Sequence, residues 1–69
     1  MTWNEFTATL SEADHKRLVI ALGAGLQEAR QASAVATGNG LLEDARRHVT
    51  TALAHLEDVR TLLGSPAAP

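Results

Sequence analysis

The segment Leu41–Leu63, LLEDARRHVTTALAHLEDVRTLL, constrains the fold more than any other part of the chain. Leu42, Ala45, Val49, Ala52, Leu56, Val59 and Leu63 recur at alternating steps of three and four, and Leu41 and Leu53 widen the line on either side. That spacing draws one apolar stripe along an α-helix. No Gly or Pro interrupts it. Isolated helices are marginal in water, so such a stripe needs a partner helix to cover it.

The partner lies upstream. Ser11, followed by Glu12 and Asp14, reads as a helix start, with acids in a first turn where the helix dipole favours them. A long helix is expected over residues 12–36. On it Leu18, Leu22, Leu26, Ala29, Ser33 and Ala36 share a face, with Val19 on one edge and Ala21, Gly25 and Ala32 on the other. Gly23 and Gly25 each cost about 1 kcal/mol relative to Ala inside a helix. The row Ala21, Gly25, Ala29, Ser33 offers a compensation, because small residues every four positions let a neighbouring backbone come close. Thr37-Gly38-Asn39-Gly40 is the sharpest punctuation in the chain. It predicts a turn at residues 38–40, with Gly38 left-handed and Asn39 or Gly40 capping the next helix, which runs over 41–63. So short a connection makes the two long helices antiparallel. Pairing about the turn sets Leu22 near Leu56, Gly25 near Ala52 and Ala29 near Val49.

Upstream of Ser11, Thr2 and Glu5 have the form of a capping box, and Trp3, Phe6 and Leu10 fall on one helical face. A short helix over 3–10 follows. A single helix from Trp3 to Ala36 would be roughly 51 Å long against roughly 34 Å for the last helix, leaving an unsupported overhang. A break near Ser11 is therefore expected. The aromatic segment either folds back over the hairpin, with Ile20 and Ala24 as candidate contacts, or docks on another subunit or partner. Gly64-Ser65-Pro66 should end the last helix, with 64–69 as a frayed tail.

The fold class expected is thus all-α: a short N-terminal helix and a long antiparallel hairpin, one domain over residues 1–69. At 69 residues the chain sits at the small end of what folds alone, and it has no Cys to staple it. Its apolar share is 45 %, but much of that is Ala, and it has one Trp, one Phe and no Tyr. Small scaffolds without staples rely on regular helix packing or on oligomerisation. The expectation is a homo-oligomer, most simply a dimeric four-helix bundle. Its interface would draw on Trp3, Phe6, Leu10, Leu18, Leu22, Leu26, Leu42, Val49, Leu53, Leu56 and Leu63.

The net charge of −2 disfavours non-specific attraction to nucleic acid or anionic membranes. The longest uncharged apolar run, Leu18–Leu26, is about half of what spans a bilayer. Glu5 and the lack of a basic leader argue against a secretory signal, and the expected compartment is the cytoplasm.

Little in the chain reads as chemistry. His48 and His55 are two turns apart, roughly 10.5 Å, too far for one metal to bridge within a chain. Glu12 and His15 have the Glu-x-x-His spacing of carboxylate bundles, but no acid of the last helix falls opposite them. No Gly-rich elbow surrounds Ser11, Ser33 or Ser65, and no phosphate-binding Gly loop is present. No catalytic residue, metal site or cofactor is expected. Arg30, Arg46 and Arg60 flank the apolar stripe as a small basic edge, while the pairs Glu43–Arg47, Glu12–Lys16 and Asp44–His48 are spaced for contact. The reading is a non-catalytic protein–protein interaction or assembly module. The alternative is a small nucleic-acid-binding regulator on a helical-hairpin dimer, by analogy of fold. A metal-binding helical assembly is a weaker one.

Overall fold

The structure, a computed structural model, describes residues 1–64. These residues form three helices and no strand: α1 (Trp3–Thr7), α2 (Glu12–Thr37) and α3 (Leu42–Leu62). α1 opens with the capping box. The Thr2 hydroxyl accepts from the Glu5 amide at 3.2 Å, and the Glu5 carboxylate accepts from the Thr2 amide at 3.3 Å. It closes at Thr7, three residues before the expected Leu10. The Thr7 and Thr9 hydroxyls donate to the Asn4 and Phe6 carbonyls, while the Thr9 and Leu10 amides tighten to bonds three residues back. Such local bonds compete with a continuing α-helix. Ser11 then adopts extended backbone and caps α2, its hydroxyl accepting from the Asp14 amide at 3.1 Å. The break expected at Ser11 is present.

The α2–α3 turn differs in detail from the expected one. Gly38 is not left-handed; Asn39 is, at φ 54°. The Gly40 amide donates to the Val35 carbonyl at 2.8 Å, the six-to-one bond of a Schellman closure with Asn39 as its left-handed residue. Asn tolerates that conformation better than most residues. Gly40 is needed for space: a Cβ there would stand 2.9 Å from Val35 Cγ1. Leu41, rather than Asn39 or Gly40, is the N-cap of α3 and supplies no side-chain bond. At the other end Gly64 turns left-handed at φ 68°, as a helix-ending glycine does. The rest of the expected tail, residues 65–69, lies outside the described residues.

α2 and α3 pack antiparallel along their length, but the face that meets is rotated from the expected one. The residues buried between them are Leu18, Ala21, Gly25, Ala52 and Val59. Ala21 and Gly25, expected at an edge, are central, and Leu22 and Leu26 are pushed outward. The reason is steric. Ala21 and Gly25 leave room for α3 to come close, with Leu56 and His55 standing directly over Gly25, and leucines at those two positions would hold the helices apart. On α3 the single stripe splits. Ala45, Ala52 and Val59 turn inward, and Leu42, Val49, Leu56 and Leu63 turn out along one side.

The best-buried point is at the open end of the hairpin. Leu18, fully buried, packs with Ala21 and Val59, and Phe6, Leu10 and Leu62 close over them. The N-terminal segment thus folds back, but not onto Ile20, which stays 61 % exposed. The extended residue Ser11 returns α1 over the end of the hairpin instead of along its side.

Candidate interaction surface

The outward rotation of the leucines creates the most distinctive surface of the molecule. Leu22, Gly23, Leu26 and Ala29 of α2 and Leu56 of α3 line a groove of about 470 Å³, with Gly25 at its floor. Leu42, Val49 and Leu63 lie at seven-residue steps from Leu56, two helical turns each, so they continue the line. Leu53 stands beside them. Exposure of the large side chains runs from 37 % at Leu22 to 63 % at Leu42. A contiguous apolar strip of this kind marks an association site more often than an idle surface.

The opposite side is polar. Arg17 grips Asp58 with both its Nε, 3.0 Å from Oδ2, and its terminal nitrogen. This hydrogen bonding, and then the charge of Asp58, holds the Arg17 guanidinium above its ordinary pKa. Lys16, Ile20 and His55 complete a shallow concavity of about 390 Å³ around that pair. Between the two sides His48 Nδ1 lies 2.7 Å from Glu28 Oε2, across the seam. His48 therefore turns to α2 and not to Asp44. Asp44 instead pairs with Arg47 at 3.1 Å, and Glu43 with Arg46 at 2.9 Å. Glu57 and Arg60 form a third such pair at 2.8 Å.

The residues expected at an interface divide into two groups. Leu18 belongs to the chain's own core, with Phe6 and Leu10 packed against it. Leu22, Leu26, Leu42, Val49, Leu53, Leu56 and Leu63 are all exposed. Trp3 is 49 % exposed, its ring centroid 6.0 Å from that of Phe6. Sequence reasoning missed Glu28 as a seam residue. The signal was its place on the seven-residue line through Ala21 and Val35. Among the described residues no three His, Asp or Glu side chains converge as metal ligands would, and no helix is long and apolar enough to cross a membrane. No protein-family model, curated protein or solved structure matches the chain. Its own surfaces carry the functional reading.

Proposed function

We propose that the protein is a non-catalytic assembly module that works by covering its leucine face, most simply as a homodimeric four-helix bundle. The observation that carries this reading is the contiguous exposure of Leu22, Leu26, Val49, Leu53 and Leu56. Surface area supports it. The chain exposes 5197 Å², against roughly 4,200 Å² for a compact monomer of this mass. Of the excess, about 600 Å² is the most that residues 65–69 could supply at unfolded-chain exposure, which leaves roughly 400 Å² unaccounted for. A standard interface removes about 800 Å² per partner. A nucleic-acid role draws less support, because Arg46 and Arg60 are already paired with Glu43 and Glu57. A cytoplasmic site of action belongs to the same proposal and rests on the cysteine-free composition.

Sedimentation equilibrium across the micromolar range tests the reading. A reversible dimer is expected, and Leu53→Glu should shift it to monomer while helix content persists. A compact wild-type monomer at tens of micromolar would overturn the proposal.

A further inference from the structure

The pattern of α3 identifies both the occupant of the leucine face and its orientation. We propose that a second copy of this chain covers it across a two-fold axis perpendicular to the helices, passing beside Leu53. In that arrangement α3 lies antiparallel on α3 of the second copy, and α2 on its α2. The inference rests on the assembly reading above and adds its geometry.

α3 reads alike in both directions. Leu42 and Leu63 are equally distant from the midpoint between Ala52 and Leu53, and so are Val49 and Leu56. Turned end for end, the helix lays apolar positions on apolar positions. The charges follow with opposite sign. Glu43 and Arg60 are equally distant from a point one residue away, between Thr51 and Ala52, and Arg46 and Glu57 share that same midpoint. One residue between the two midpoints displaces the facing charges by two residues, about 3 Å along a helix, which long Arg and Glu side chains can span. Each copy holds Glu43–Arg46 and Glu57–Arg60 as surface pairs. Laid antiparallel, the Glu43–Arg46 pair of one copy meets the Glu57–Arg60 pair of the other. The four charges alternate in a closed ring, once at each end of the contact.

α2 points to the same axis. Leu18 packs on Val59 and Glu28 pairs with His48, which sets the midpoint of α3 level with Ala24. Leu22 and Leu26 stand equally far from Ala24. An isologous contact could also use a two-fold axis along the helices, laying α2 of one copy on α3 of the other. Since Glu28 and His48 are level, Arg30 and Arg46 are level as well. That arrangement would bring these two arginines together. Like charges facing each other select against it.

Charge variants distinguish the arrangements. An acidic variant, Arg46→Glu with Arg60→Glu, makes each ring all-negative in the proposed dimer. A basic variant, Glu43→Lys with Glu57→Lys, makes it all-positive. Each alone should self-associate at least about tenfold more weakly than wild type, the factor worth about 1.4 kcal/mol. An equimolar mixture should recover association as a heterodimer in native mass spectrometry. With the axis along the helices, the acidic variant would set the carboxylate at position 46 against Arg30 and self-associate at least as tightly as wild type, which overturns the inference. Leu53→Cys provides a check free of charge changes, since the chain has no other Cys. Oxidation should link two copies beside the axis, and failure to link a dimeric variant would overturn the geometry. If wild type dimerises but these tests fail, only the orientation falls. A monomeric wild type removes the assembly reading itself.

Discussion

Glu28 and His48 face each other across the hairpin, 2.7 Å apart, in a seam whose buried members are Leu18, Ala21, Gly25, Ala52 and Val59. Their side chains are 26 % and 19 % exposed, so each has given up much of its water for the other. Losing one partner leaves the second poorly solvated. Glu28→Ala and His48→Ala should each cost about 0.5–1.5 kcal/mol. The double variant should cost less than the two added together, because the residues share one interaction. Urea denaturation of the four chains at one pH measures this, and strict additivity would show the pair to be idle.

The two glycines within α2 should respond with opposite sign. A Cβ on Gly25 would come within 3.2 Å of Leu56 Cδ2, whereas one on Gly23 meets nothing within 4 Å. Gly25→Leu should destabilise by roughly 1–3 kcal/mol through overpacking. Gly23→Ala should raise stability by up to about 1 kcal/mol through helix propensity. Melting temperatures that rise for both would remove the close-approach account of Gly25.

Leu18 and Leu53 separate the chain's own core from its outer face. Leu18 is fully buried, and Leu18→Ala should cost about 2–5 kcal/mol. Leu53 is 57 % exposed, and Leu53→Ala should leave the dilute hairpin nearly unchanged while weakening association. Circular dichroism at low concentration, beside sedimentation at high concentration, reads the two effects independently.

The turn provides a further test. Asn39 at φ 54° is the sole non-glycine residue with positive φ among the described residues. Asn39→Ala should cost about 1 kcal/mol, since a Cβ without a local hydrogen-bonding group is strained there. Asn39→Gly should be tolerated. Gly40→Ala should also destabilise, because its Cβ would stand 2.9 Å from Val35 Cγ1. A thermal melt in which Asn39→Ala matches wild type would contradict the left-handed assignment.

Most of the architecture was legible in the sequence because its signals were local. The capping box at Thr2 and Glu5, the Ser11 cap and the glycine-rich turn each fix a boundary through short-range bonds. The rotation of the seam was not legible. Leu18, Ala21, Leu22 and Gly25 all fall within one broad face, and periodicity cannot say which line within it meets the neighbour. That choice depends on how closely two backbones approach, which favoured Ala21 and Gly25 over Leu22. The reach of His48 was hidden for a similar reason: Asp44 is near in sequence, and Glu28 is near only after the hairpin closes. The outer leucines were recognisable as surplus apolar surface, but which residues were surplus emerged only from the rotation.

The position of the best-buried cluster has a kinetic consequence. The turn brings the helices together at one end, where Ala32, Val35 and Ala45 are only partly covered. The fullest burial, Leu18 with Val59, waits at the other end, beside the Arg17–Asp58 contact that joins residues 41 positions apart. A hairpin zipped halfway from its turn has lost the conformational freedom of many residues without reaching that cluster. The cluster alone would have to close the entire intervening loop before any helix supported it. Neither half is a resting place, so the barrier lies between two end states, and heat or urea should convert hairpin to coil in one step.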